Sequence, residues 1–113
     1  MYHVLVIGLE PAGWLKAVSL LSSIRALKTA GKALPGFKGA KLFKSGHIQY
    51  TALVWTSAES LEHFEWSNDM ANVEMAAQSG ARCYAAHSFV CQKPPSKEEI
   101  ALLWHSARHA AVA

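Results

Sequence analysis

Phe37-Lys38-Gly39-Ala40-Lys41-Leu42-Phe43-Lys44-Ser45-Gly46-His47-Ile48-Gln49-Tyr50-Thr51-Ala52-Leu53-Val54-Trp55 is the stretch whose reading decides the fold. Two β-forming runs flank Ser45-Gly46, so the segment reads as a hairpin: a strand over Phe37 to Lys44, a tight turn, and a strand over His47 to Trp55. The second strand alternates Ile48, Tyr50, Ala52 and Val54 on one face with Gln49, Thr51, Leu53 and Trp55 on the other.

Upstream, Tyr2 to Leu9 is an apolar, β-branched run too short for a helix, followed by Pro11 and Gly13, and reads as a buried strand. Pro11 suits the first turn of a helix whose inner face carries Ala17, Leu20, Leu21, Ile24 and Leu27 and which ends near Gly31 to Pro35. Downstream, Thr56-x-x-Glu59 has the form of a capping box opening a helix with Leu61 and Phe64 inward. Ser67-Asn68-Asp69 interrupts and recaps it, and Met70, Val73 and Ala77 continue the inner stripe. Arg82 to Gln92 is a last strand, Pro94-Pro95 a stop, and Ser96-x-x-Glu99 the cap of a final helix to about Ala111.

The order is β-α-β-β-α-β plus a C-terminal helix. A central hairpin with right-handed crossovers on either side predicts an α+β, ferredoxin-like four-stranded antiparallel sheet with both crossover helices on one face. Residues 1–93 form this domain, and 94–113 a C-terminal helical extension of it. The second strand falls at an edge, where Lys38, Lys41 and Lys44 discourage further pairing. The first strand is apolar on both faces and so needs cover on both. With the helices on one face, the sheet of a second subunit is the expected cover for the other, giving a homodimer.

Composition agrees with that expectation. A chain of 113 residues is one domain, and 51% hydrophobic with only 17% charged leaves apolar surface for a subunit contact. Long disorder, two enzyme domains and a disulfide scaffold are excluded. Cys83 and Cys91, eight residues apart in one strand, would stand roughly 26 Å apart, out of disulfide reach. The start of the chain has no basic segment or cleavage site, and Lys16 and Arg25 interrupt the apolar run from Trp14 to Leu27. No membrane span and a cytoplasmic location are expected.

Charge is segregated. Pro11 to His47 holds seven basic residues and no acid, whereas Glu59 to Glu74 holds five acids and no lysine or arginine. Opposite segments of this kind can neutralise each other as packed neighbours or across a dimer, which favours packing over a nucleic-acid partner. The central strands also lack the aromatic platform of RNA-recognition domains. Val6 to Gly13 has the outline of a dinucleotide fingerprint, but Glu10 stands where a glycine must admit the pyrophosphate. His105 and His109, four apart on the last helix, have no third ligand nearby in sequence, so neither a metal nor another cofactor is expected.

His87, mid-strand between apolar neighbours, requires a partner if buried and is either a satisfied core histidine or the candidate pocket acid/base. Tyr50 is the candidate orienting hydroxyl. Trp14, Trp55, His63, Trp66 and Met70 are either core or dimer contacts or, with Tyr50, the lining of an aromatic pocket between sheet and helices for a small apolar or aromatic ligand.

Pro35-Gly36-Phe37-x-Gly39 and Val54-Trp55-Thr56-Ser57-Ala58-Glu59-Ser60-Leu61-x-x-Phe64 resemble the dimeric α+β barrel superfamily of antibiotic-biosynthesis-monooxygenase type. Leu34 to Gly46 also resembles spheroidene-monooxygenase-like proteins. The resemblance implies a homodimer whose two sheets face each other as a barrel, with a small-molecule pocket in each subunit between sheet and helices. Members include cofactor-independent oxygenases of quinone-like substrates and haem-degrading enzymes. The latter carry an asparagine on the first strand and a histidine ligand late in the second helix. This chain has no asparagine in its first strand and reads Asn72-Val73-Glu74-Met75 in the helix, so a haem reading would fall back on His63 or His87. The function expected is that of a cofactor-independent monooxygenase-like enzyme; the alternative is a non-enzymatic dimeric binding or assembly domain.

Overall fold

A computed structural model describes residues 1–112, and their side chains through residue 107. Along the chain lie β1 (Tyr2–Pro11), α1 (Trp14–Lys32), β2 (Phe37–Ser45), β3 (Ile48–Trp55), α2 (Ala58–Glu65), α3 (Asn68–Gly80), β4 (Ala81–Cys91) and α4 (Lys97–Val112). The strands form one antiparallel sheet in the order β2-β3-β1-β4. This is the ferredoxin-like arrangement, with β2 and β4 as edges.

Local chemistry accounts for the boundaries. The hairpin closes on Ser45 opposite Ile48, leaving Gly46 and His47 as the two-residue loop, and Gly46 takes φ +62, a conformation open to glycine at little cost. The turn thus lies one residue later than Ser45-Gly46. Pro11 ends β1 at a register shift opposite Ala81 instead of opening the helix, which starts at Trp14 after Gly13. The cap of α2 is Ser57, whose hydroxyl accepts from Ser60 N at 3.3 Å; Thr56 turns back instead and donates to Gly36 O. Gly36, at φ +80, also receives Thr56 N at 2.9 Å, so the entry of β2 is tied to the exit of β3. Ser67 caps α3 through Met70 N, and Ser96 with Glu99 makes a reciprocal box at the start of α4, each bonding the other's backbone N–H.

The sheet separates two cores. On one side α1, α2 and α3 bury Leu5, Ile7, Leu9, Leu53 and Trp55 against Leu20, Leu27, Phe64, Met70 and Val73. On the other side α4 lays Ile100 and Trp104 on Val4, Val6, Tyr50, Ala52 and Val54. On the face where a partner's sheet was expected as cover, the chain's own C-terminal helix lies against these residues. The seat of α4 depends on Gly8: a Cβ there would fall inside contact distance of the Trp104 indole. Trp104 Nε1 donates to Ala85 O of the neighbouring strand at 2.9 Å, and Lys41 Nζ holds Pro95 O at 2.8 Å, fixing the approach to the helix. Among the described residues no helix is long and apolar enough to cross a membrane. Cys83 and Cys91 are free thiols.

Gly8→Val should force the indole off the sheet at an overpacking cost of about 1–3 kcal/mol, lowering the melting temperature by roughly 5–15 °C and red-shifting tryptophan emission. Gly13→Ala is the control, since a Cβ at Gly13 meets nothing within 4 Å. Equal melting temperatures and spectra for the two variants would remove Gly8 as the seat of α4.

Candidate functional site

The alternation of β3 distributes the expected site residues between the two cores. Trp55 points toward α1 and α2, wholly buried, its Nε1 donating to Gly31 O at 3.1 Å and its ring 5.2 Å from that of Phe64. Tyr50, five positions earlier, points the other way, under α4. Trp55 and Tyr50 therefore cannot share a pocket between sheet and crossover helices. Met70 is buried with Trp55 in the first core. Among the described residues, the space where the pocket was expected is packed with these side chains.

Three of the remaining candidates, Trp14, His63 and Trp66, lie on the surface. Trp66 follows the last turn of α2 and is 86% exposed; with His63, Glu59, Glu62 and Ser67 it borders an open depression. Trp14, 75% exposed, borders a separate cleft of about 330 Å³ at the end of the sheet, with Lys44, His47 and Gln49. These positions follow from helical geometry: once Leu61, Phe64 and Met70 face the sheet, His63 and Trp66 are turned outward.

Polar groups converge instead beneath α4. Tyr50 stands opposite Gly8 on β1 and Phe43 on β2, and its ring stacks on Phe43 with centroids 5.1 Å apart. Trp104 meets the same ring edge-on at 5.7 Å. The phenol is buried except toward the rim of the helix, where its oxygen lies 2.8 Å from Nε2 of His105, an exposed residue. Burial, with Cys83 nearby adding a smaller push, raises the Tyr50 hydroxyl above its ordinary range. The pair is thus a phenol that keeps its proton, bonded to an imidazole open to solvent.

His87 lies on the same face of the sheet, opposite Val6 on β4, and its Nε2 is buried with no hydrogen-bond partner among the described residues. An apolar slot of about 120 Å³ opens on this face between Val54, Pro95 and Ile100. Tyr50 and His87 are therefore the two candidates that share a face. Phe43, Trp104 and His105 are additions not foreseen from sequence. The i, i+4 spacing of Ile100 and Trp104 was the available signal for a buried stripe on α4, but nothing in it names the surface covered. The partner of His105 on its helix, His109, has its side chain outside the described residues. No group of three metal-ligating side chains gathers among the described residues.

No known protein family and no curated protein matches the chain by sequence. Solved structures do. Rv0793 from Mycobacterium tuberculosis superposes with a TM-score of 0.69 at 16% identity, over 85% of this chain and 100% of that one. SnoaB from Streptomyces nogalater, a cofactor-independent oxygenase, gives 0.64 at 13% identity over 85% and 98%. A protein from Nitrosomonas europaea proposed to be an antibiotic biosynthesis monooxygenase gives 0.67 at 7% identity over 84% and 94%. Nearly the whole of each neighbour is matched, over about six sevenths of this chain. The chain has the fold of antibiotic-biosynthesis-monooxygenase-like proteins.

Proposed function

We propose that the chain binds a small apolar or aromatic molecule on the α4 side of its sheet and oxygenates it in the manner of a cofactor-independent monooxygenase. The hydrogen bond between Tyr50 Oη and His105 Nε2 carries this reading. A substrate that reduces oxygen itself asks the protein for a base and for a donor to the developing anion. His105 is the base in reach of solvent and ligand. Tyr50, its proton held by burial, is the donor. Phe43 and Trp104 supply aromatic walls, and the unpartnered nitrogen of His87 is a second polar group for the ligand.

The substrate class is an electron-rich, enolisable phenolic ring system. Loss of a C–H proton to the imidazole leaves a carbanion that adds O2; the hydroperoxide then loses water, so that a CH2 and O2 become a carbonyl and H2O. SnoaB, with the same fold, supports this class of chemistry. The free cysteines suit a reducing compartment such as the cytoplasm.

The filled space between the sheet and α1–α3 favours a second reading, a non-enzymatic binding or assembly domain. Oxygen uptake and calorimetric binding with a panel of hydroxylated naphthalenes and anthracenes separate the two. Under the first reading, Tyr50→Phe and His105→Ala each lower turnover by roughly 10²-fold with the fold intact. Binding without oxygen uptake supports the second, and full turnover in both variants removes the assigned roles.

The buried phenols carry a further expectation. Tyr84, like Tyr50, is raised by burial, with Glu74 adding to the effect, and its hydroxyl has no partner among the described residues. In the unfolded chain both ionise near pH 10, in the fold only above it. Their contribution to stability is thus intact below pH 10 and lost as pH rises beyond it. Thermal melts from pH 8 to 11.5 should fall steeply above pH 10, and less steeply in Tyr84→Phe.

A further inference from the structure

With α4 in place, Tyr50 is sealed against anything larger than a solvent molecule. Its side chain is 2% exposed, Trp104 and Ile100 above the same face are fully buried, and the slot beside Ile100 holds only about 120 Å³. Sites for small molecules usually offer roughly 300 Å³ or more. A ring system that reaches the phenol must therefore take space that a side chain now fills.

That side chain is the Trp104 indole, and its surroundings are those of a bound aromatic molecule. It lies against Gly8, where a Cβ would overlap its ring, and it meets the Tyr50 ring edge-on, with centroids 5.7 Å apart and planes at 88°. Its Nε1 donates to Ala85 O at 2.9 Å. Such contacts specify a flat two-ring system with one hydrogen-bond donor on its edge.

We propose that the ligand site is the seat of Trp104 itself: the indole fills it in the unliganded chain, and a planar bicyclic aromatic with one edge donor, of the size of a naphthol, displaces it. This rests on the reading that the ligand binds on the α4 side of the sheet. The indole that walls the site without ligand is the wall that yields. The exchange conserves volume, so a two-ring ligand on Gly8 keeps the spacing of helix and sheet, and α4 closes on it in the same register with the Trp104 side chain turned out to solvent. His105 then stays beside Tyr50. A donor on the ligand takes over Ala85 O, which loses its partner when the indole leaves; a ligand without a donor bears the cost of that buried carbonyl. The indole is thus a competitor built into the chain. It weakens apparent binding in proportion to the fraction of molecules in which it keeps its seat.

The full chain labelled with 5-fluorotryptophan tests this with 2-naphthol and 2-methoxynaphthalene, which share a ring system and differ in the donor. Fluorine NMR gives a resonance for each of the four tryptophans, and Trp104→Phe identifies that of Trp104. Expected is binding of 2-naphthol that moves the Trp104 resonance to a solvent-exposed shift and leaves that of Trp55 in place. By calorimetry 2-methoxynaphthalene should bind about tenfold more weakly. In Trp104→Ala, where the competitor is gone, 2-naphthol should bind about tenfold more tightly than in the parent chain. Absence of binding to the parent chain overturns the proposal, as does binding that leaves Trp104 shielded, equal affinity for the two probes, or no gain in a Trp104→Ala chain folded by circular dichroism. The first two measurements use the parent chain and decide the matter whether or not Trp104→Ala folds. Oxygen uptake separates the two readings: displacement of Trp104 without uptake removes the oxygenase and keeps the site, whereas uptake with Trp104 still shielded keeps the oxygenase and removes the displacement.

Discussion

The indole of Trp104 lies against Gly8, in the space a side chain would fill, and the second half of the architecture depends on that approach. A strand whose two faces are both apolar has to be covered twice, and β1 is the strand that shows it: Leu5, Ile7 and Leu9 enter one core, Val4 and Val6 the other. Crossover helices cover the first because the β-α-β connections are right-handed. For the second there are two solutions, a partner's sheet or a helix of the same chain. Glycine at position 8 permits the second, since it lets a flat aromatic ring reach the backbone of the central strand. The indole N–H is then satisfied by Ala85 O, so the ring can be buried without stranding its donor.

That choice relocates the chemistry. In the first core Trp55 fills the space between sheet and helices and spends its N–H on Gly31 O, leaving no polar atom of its own for a ligand. In the second, Tyr50 is held on three sides by Phe43, Gly8 and Trp104, but its hydroxyl reaches the rim of α4 and meets an imidazole that solvent can also reach. Burial and accessibility, which a proton-transferring pair needs together, coexist there because Tyr50 lies beneath α4 whereas His105 is exposed. On the same face Phe89, His87 and Cys83 of β4 are only partly buried.

Much of the fold could be read from residues because its determinants are local. Gly46 announces the hairpin, Ser67 the break between α2 and α3, and Ser96 with Glu99 the start of α4, each through a contact spanning three residues or fewer. Small displacements, such as Ser57 capping in place of Thr56, arise because neighbouring hydroxyls compete and the tertiary contact to Gly36 takes one of them. The placement of α4 was not legible. Its amphipathic stripe states that something is buried, and only the three-dimensional position of Gly8, nearly a hundred residues earlier, states where.

The candidate site divides along the same line. The period of two in β3 already puts Tyr50 and Trp55 on opposite faces, so a pocket holding both was inconsistent with the alternation that defined the strand. His105, by contrast, lies 55 residues from Tyr50, and its pairing depends wholly on the register of α4 across the sheet. A shift of the helix by one residue would rotate the imidazole about 100° away from the phenol. The seat of Trp104 on Gly8 is thus also what sets the Tyr50–His105 bond, since adjacent residues on one helix cannot move independently. A substitution that lifts the indole must separate the phenol from the imidazole, coupling the stability of the second core to the chemistry at its rim.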